Sequence, residues 1–202
     1  GTLTSEQAAP HIDRCLGCLA CVTNCPSGVA YGDLISSYRS HVKDVGGSTW
    51  KLRDWLVRKT LPYPQRFRWA LRLGKLGRYF RSVAPPTLRS MLDLVPQQLP
   101  PAQSLAVVTP AVGNRVGRVA LLTGCAQQVL APDISAAAVR VLSRNGIEVV
   151  VPPGQSCCGA LDWHTGNDKS AVRFASRLVD SIPEDVDCII TTAAGCGSAI
   201  HE

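Results

Sequence analysis

The sequence is poor in several things that would have placed it elsewhere. Its aromatics are few, with four Trp, four Tyr and three Phe, and Met91 is the single methionine. No stretch offers the roughly eighteen consecutive apolar residues that a membrane-spanning helix needs. The longest uncharged run, Leu94 to Asn114, is broken by four prolines and three glutamines and reads as a loop. No basic-then-apolar segment opens the given sequence, so the cytosol (a cytoplasmic protein) is the expected compartment for its nine cysteines. Nor does a G-x-G-x-x-G turn follow any strand-like run, so no flavin or nucleotide site is expected within it.

What is present can fold: 46% apolar against 18% charged residues fill a core in a chain of 202 residues. Both ends are abrupt. Gly1 is not an initiator, and the closing CIITTAAGCGSAIHE reads as a strand and the turn toward a helix that does not arrive, so the sequence is read as a piece of a longer protein.

Charge is unevenly spread. Residues 50–90 hold eleven Lys or Arg against one acid, Asp54, which is plus ten; with a total of +6, the remainder is minus four. Trp50, Trp55, Phe67, Trp69, Tyr79 and Phe80 are interleaved with these cations. At helical spacing Trp69, Leu73, Leu76 and Phe80 share one face, and the plain expectation is that this face is core while Arg68, Arg72, Lys75 and Arg78 are solvated. Contact with the inner face of the cell membrane is the sharper alternative, because a basic helix bearing Trp can lie among headgroups. Nucleic-acid binding is not expected, since no zinc-finger, RNP-type or helix-turn-helix signature accompanies the charge.

Along the chain, Thr4 and Gln7 resemble a capping box that opens a helix from Ser5 to about Arg14 and delivers the chain to Cys15. Tyr31 to about Lys43 is again helical, up to Gly46-Gly47. Three helices follow over about 50–60, 66–82 and 87–95, separated by Pro62, Pro64 and Pro85-Pro86. After Gly117 the pattern turns α/β: strands at Val119–Leu122, Ile147–Val151 and Cys188–Thr192, with helices at Ile134–Leu142 and Asn167–Leu178 between them. Right-handed crossovers would assemble these into a parallel sheet. The loops carrying Cys125, Cys157-Cys158 and Cys196 all follow the C-terminal ends of strands, where open α/β sheets place ligands.

Cys15, Cys18, Cys21 and Cys25, with Pro26, reproduce the ferredoxin run C-x2-C-x2-C-x3-C-P. Zinc sites more often pair two separated C-x2-C units, so an iron–sulfur cluster is expected here. Cys188 lies in the apolar run DCIITT and is expected in the core as a small hydrophobe. Cys125, Cys157, Cys158 and Cys196 gather at one sheet edge, and adjacent cysteines suit a metal or cluster better than a disulfide. His164, six residues after Cys158, shows no partner for acid–base work in the sequence.

The segments CLGCLACVTNCPSGVAYGDLI, LLTGCAQQVL, VVVPPGQSCCGALDWHTG and TTAAGCG resemble the iron–sulfur subunits of bacterial glycolate oxidase (glycolate dehydrogenase), within the CCG-domain group that includes heterodisulfide reductase subunits. The likeness runs from about Thr4 to the last residue and is weakest in the basic region. It implies an α+β, multi-part fold: half of a two-cluster ferredoxin-type helical domain in 1–46 (the second motif), a helical basic connector in 47–116, and an α/β CCG repeat with a parallel sheet in 117–202, truncated at its end. It implies 4Fe-4S cofactors on Cys15, Cys18, Cys21 and Cys25, Cys25 serving the upstream motif's cluster. A further iron–sulfur cluster or metal is implied on Cys125, Cys157, Cys158 and Cys196, although Ala199 stands where the repeat has its last cysteine. The implied role is electron transport, taking electrons from a flavin-containing dehydrogenase subunit that oxidises glycolate and passing them to a membrane acceptor. No catalytic residue is expected in this chain. The other readings are an L-lactate utilisation or heterodisulfide-reductase type of carrier and, from another class, a zinc-stabilised nucleic-acid-binding module.

Overall fold

The structure is a computed structural model and describes residues 4–15, 20–41 and 48–201. Leu16 to Leu19, and with them Cys18, lie outside the described residues, as does the expected helix end near Gly46-Gly47.

Helix α1 (Ser5–Asp13) opens where the capping box places it, with the Thr4 backbone N–H donating to Gln7 Oε1 at 3.2 Å. A short helix α2 (Ala20–Thr23) and the longer α3 (Tyr31–His41) follow. Tyr31, Ile35 and Arg39 fall at i, i+4 and i+8 and so share one face of α3, with Ile35 buried.

The connector is helical, as its proline punctuation implies: α4 (Ser48–Thr60), α5 (Pro64–Gly77) running into a 3₁₀ segment (Arg78–Val83), and α6 (Pro86–Asp93). Pro64 and Pro86 each occupy the first helical turn, where a missing N–H costs nothing. Gly74 is required by packing, since a Cβ there would lie 2.9 Å from Val95 Cγ2.

The remainder forms a four-stranded sheet from β1 (Val108–Thr109), β2 (Gly117–Leu122), β3 (Ile147–Val150) and β4 (Cys188–Thr191), in the order β1-β3-β2-β4. Strands β3, β2 and β4 are parallel, with Val119 opposite Val149 on one side and Cys188 on the other. The helices between them are α7 (Gln127–Leu130), α8 (Pro132–Arg144), α9 (Ala160–His164) and α10 (Asp168–Asp180). Val119, Leu121, Val139 and Val149 form the core under α8.

Four expectations are corrected here. The sheet is mixed rather than parallel: β1 pairs antiparallel to β3, a two-residue strand hidden in a proline-rich loop too short to show alternation. A helix does follow β4, α11 (Ala194–His201). Cys188 is exposed, because β4 is an edge strand whose first half is uncovered on both faces. Trp69, Leu73, Leu76 and Phe80 are each more than 60% exposed, so the predicted core face of α5 points outward. The connector instead uses Leu71, buried with Val95 and Val129 and packed by Phe67 and Leu99. Full burial of such side chains contributes about 1.5–3 kcal/mol each, enough to dock α5 onto α7. Tyr63 adds an edge-on contact with Phe174 of α10 at 6.1 Å, and Arg68 donates to the carbonyls of Pro100 (2.7 Å) and Gln128 (3.4 Å).

Candidate metal centre at the strand ends

Each of the three parallel strands ends in a loop that delivers cysteine to the start of a helix: Cys125 just before α7, Cys157 and Cys158 just before α9, and Cys196 in the first turn of α11. Helix N-termini present unpaired N–H groups and the positive end of the dipole, which favours thiolate over thiol. Glutamines, unnoticed in the sequence, tie the loops together. Gln155 Oε1 accepts from the Thr123 backbone N–H (2.9 Å), joining the loops after β2 and β3. Gln127 Nε2 donates to Thr192 Oγ1 (2.6 Å) and Ser135 Oγ (2.8 Å), joining the loops after β2 and β4. Gly159 has φ of +87°, and a Cβ there would sit 2.7 Å from the Ala171 carbonyl, so no other residue fits the turn after the cysteine pair.

The structure thus brings together all four cysteines named for this edge, none of them in a disulfide. Cys125 Sγ and Cys157 Sγ are 3.6 Å apart, and further hydrogen bonds link Cys157 with Cys158 and Cys158 with Cys196. Along this chain the protons are unequally held. The bond from Cys157 lowers Cys125 below the ordinary thiol value, helped by the Ala126 amide. Bonds from Cys157 and then Cys196 bring Cys158 down to about 3, the Ala160 amide assisting. Cys157 is pushed far up by its hydrogen bonds with Cys125 and Cys158 and by burial, and Cys196 is raised by its bond with Cys158 and by burial. Thiolate is favoured at Cys125 and Cys158, and thiol at Cys157 and Cys196. Among the described residues no three His, Cys, Asp or Glu side chains are already gathered around one point as for a lone metal ion. Ala199 lies one helical turn beyond Cys196 on α11 and supplies no ligand atom.

The ferredoxin-type loop is only partly described. Cys15 follows α1 and is half-buried, Cys21 is exposed on α2, and Cys25 is half-buried after it. The buried face of α3 is aimed at this loop: the Tyr31 phenol is raised by burial and then by its hydrogen bond to Cys15, with Cys21 close enough to add to the effect. Cys25 is held differently. The backbone amides of Val29, Ser27 and Gly28 donate to it and lower its thiol, the turn after Pro26 folding back over the sulfur. The residues that pin this loop escaped the sequence reading, since Arg39 and Tyr31 differ in no pattern from other helical surface residues.

Helix α9 is the other feature missed. It carries Asp162, 3% exposed, paired with Arg58 Nε of the connector at 3.0 Å though outside hydrogen-bond angles. His164, half-buried at its C-terminal end, offers its backbone carbonyl rather than its ring to a partner, Arg39. A cavity of about 310 Å³ opens beside the strand ends, between Pro64, Gln103, Thr123, Gln128, Ser135 and Gln155, with no charged side chain in its lining.

Residues 119–201 match the family model of the cysteine-rich CCG domain. The chain is 34% identical to the glycolate oxidase iron-sulfur subunit of Escherichia coli, the match covering 100% of this chain and 48% of that protein. It is 31% identical to the probable glycolate oxidase iron-sulfur subunit of Bacillus subtilis over 98% of this chain and 48% of that one. Lactate utilization protein A 2 of Bacillus cereus is 27% identical over 42% of this chain and 34% of its own length. The chain therefore spans about half the length of the glycolate oxidase relatives. No solved structure gives a match. The strand-end cysteines thus sit in the segment that matches the cysteine-rich CCG-domain model, within a chain similar along its whole length to one half of the glycolate oxidase iron-sulfur subunits.

Proposed function

We propose that the chain is the electron-relaying part of an iron–sulfur subunit in a glycolate-oxidising, flavin-dependent dehydrogenase. The observation that carries this reading is the convergence of Cys125, Cys157, Cys158 and Cys196 at the strand ends, joined to the similarity of the whole chain to about half of the glycolate oxidase iron-sulfur subunits. Four soft sulfur donors beside three helix N-termini fit an anionic iron–sulfur group. On the same reading Cys15, Cys18 and Cys21 serve one 4Fe-4S cluster. Cys25, gripped by its own amide turn while Cys15 and Cys21 adjoin Tyr31, serves the cluster of a motif outside this sequence.

Iron–sulfur clusters supply single-electron acceptance and release. The protein's own residues shape the sites. Gln127 and Gln155 tie the three loops, hydrogen bonds from Cys157 and then the amides of Ala126 and Ala160 favour thiolate at Cys125 and Cys158, and loading the site would release the protons that Cys157 and Cys196 hold. The uncharged lining of the cavity beside the site offers no cation for a hydroxy-acid carboxylate. That supports a substrate site on the flavin-bearing partner.

The membrane acceptor gives a place to the outward face of α5. Trp69, Leu73, Leu76, Tyr79, Phe80 and Val83 are exposed beside a groove of about 510 Å³ containing Arg72, Lys75 and Arg78. Apolar side chains ringed by cations fit the headgroup region of an anionic bilayer. Among the described residues no helix is long and apolar enough to cross a membrane, so this contact would be peripheral.

Metal analysis tests the core of the reading: iron with acid-labile sulfide supports it, and zinc in colourless protein removes it. Co-purification of the full-length protein with its flavin subunit, assayed on glycolate and on L-lactate, separates the glycolate reading from the lactate one. Flotation on anionic vesicles should be strong at low salt and fade as salt rises. Flotation that ignores salt, or none, removes the membrane contact.

A further inference from the structure

One guanidinium links the two cysteine groups. Arg39 Nη2 donates to the carbonyls of Ile12 (3.1 Å) and Cys15 (2.6 Å), and its Nη1 donates to the carbonyl of His164 (2.9 Å). Ile12 is in the last turn of α1, Cys15 begins the ferredoxin-type loop, and His164 ends α9, the helix that starts directly after Cys158-Gly159. Two of the three acceptors are therefore C-terminal helix carbonyls, at the negative end of a dipole that favours a cation; that of Ile12 also accepts the Cys15 backbone N–H at 3.1 Å.

Helix α9 is built to transmit that contact. Its five residues make a stub of about 7.5 Å at 1.5 Å per residue. It is held at its start by the close approach of Gly159 to Ala171, in its middle by the Asp162–Arg58 pair, and at its end by Arg39. It also packs against α11, which carries Cys196. A change at Arg39 would thus be felt at Cys15 on one side and, through a rigid stub, at Cys158 on the other.

We propose that Arg39 is a positioning residue that sets the separation and orientation of the ferredoxin-type centre relative to the strand-end centre. The proposal rests on the reading of both as redox centres, because their separation then governs the rate of electron exchange between them. Lysine cannot replace it: three carbonyls in two directions need the planar fork of arginine, whereas an ammonium is a compact point charge on a flexible stem.

The test uses the full-length protein with its clusters, as wild type, Arg39→Lys and Arg39→Gln. Hydrogen–deuterium exchange is followed in peptides covering 10–25 and 157–167, and the magnetic interaction between the reduced centres is read by electron paramagnetic resonance. The variants are compared with wild type on protein of equal iron and sulfide content. They should exchange at least tenfold faster in both peptides and show an altered or lost spin interaction. If Arg39→Gln assembles poorly, Arg39→Lys decides, since it keeps the charge and loses only the fork. Wild-type exchange and spin interaction in the variants would overturn the proposal. So would a fall in melting temperature with both local readouts unchanged, the result a merely structural role gives. A wild type lacking iron and sulfide would overturn the reading of the centres, and the exchange comparison would still decide whether Arg39 clamps the two segments.

Discussion

The two cysteine groups of this protein are assembled in opposite ways. Cys15 to Cys25 are neighbours in sequence; among the described residues Cys15 and Cys25 are half-buried and Cys21 is exposed, and Tyr31 and Arg39 of α3 hold the segment at Cys15. Cys125, Cys157, Cys158 and Cys196 are scattered in sequence and brought together by a sheet, with Gln127 and Gln155 bracing the loops. A contiguous motif advertises its ligands and leaves its support unspoken. A fold-assembled site hides its ligand set until the topology is known, but then holds it by backbone that cannot shift without disturbing the core. The contrast predicts that the strand-end site answers to mutations in its scaffold and the ferredoxin-type loop to mutations in its clamp.

The sharpest way to break that contrast is to remove one group and watch the other. Changing Cys157 and Cys158 to Ser should abolish the strand-end centre entirely while iron and sulfide at the ferredoxin-type loop stay at wild-type levels. Anaerobic reconstitution of the full-length protein with iron and sulfide counting reads the outcome. If both centres disappear together, they are one cooperative unit and the contrast is void.

What the sequence makes legible divides in the same way. Pro64, Pro85-Pro86 and the Thr4/Gln7 pair signal helix starts through strictly local chemistry, and each start stands within a few residues of its expected place. The three parallel strands and the convergence of four cysteines at their ends follow from hydrophobic period plus the handedness of crossovers. Missed were features decided by what lies across the fold. Leu71 and not Leu73 became the core face of α5, because Val95 and Val129 come up beneath it. Cys188 looked interior because its run is apolar, yet an edge strand shields neither face along its first half. The acidic member of DWHTG gives no sign in sequence that it is buried against Arg58 of the connector.

That pair offers the next test. Asp162 is almost wholly buried and Arg58 about a third exposed, so removing the arginine strands a carboxylate inside the protein. Arg58→Ala should destabilise the fold by about 1–3 kcal/mol, the cost of stranding a buried polar group, less than for a fully buried pair because Arg58 is partly solvated. Replacing both partners with apolar residues, Arg58→Met with Asp162→Leu, should recover most of it. Denaturant unfolding of the two variants against wild type checks this. Because α9 follows Cys158, Arg58→Ala should also weaken loading at the strand-end centre more than at the ferredoxin-type loop. Equal weakening at both would show that the connector supports the loop as directly as it supports the sheet.

A smaller effect distinguishes members within the strand-end group. In cluster-free protein Cys158, brought down to about 3 by the thiols of Cys157 and Cys196, remains thiolate at pH 6, where an ordinary thiol near 8.5 is almost wholly protonated. Only the thiolate is nucleophilic. Cys158 should therefore alkylate about tenfold faster than Cys157 at pH 6, its low basicity tempering the advantage. The rate should hardly change between pH 6 and 8, whereas at Cys157, kept protonated by its hydrogen bonds with Cys125 and Cys158 and by burial, it should stay slow throughout. Mass-spectrometric alkylation time courses at several pH values decide the order. Faster reaction at Cys157 would mean that the protons are distributed the other way along the chain.

The smallest expected effect lies in neither cysteine group. Arg81 Nε and Nη2 donate to Asp93 Oδ1 and Oδ2 at 2.6 and 2.8 Å, fastening the 3₁₀ segment to α6 on the surface. These bonds hold the Asp93 carboxyl below its ordinary value. The sign follows directly. A carboxylate whose folded value is depressed adds stability above its unfolded value of about 4, and that contribution is lost as pH falls through the folded value. Because both partners face solvent, screening keeps the contribution small. Asp93→Asn should therefore lower stability slightly at pH 7 and low salt, and the deficit should shrink with added salt and on acidification below about pH 4. Iron content at both centres should be untouched. Thermal unfolding across pH and salt measures it, and a deficit constant in both would show that Asp93 acts through packing rather than charge. Altered iron at either centre would mean that the connector's outer surface reports to the cysteines, and that the division between a braced sheet and a clamped loop is incomplete.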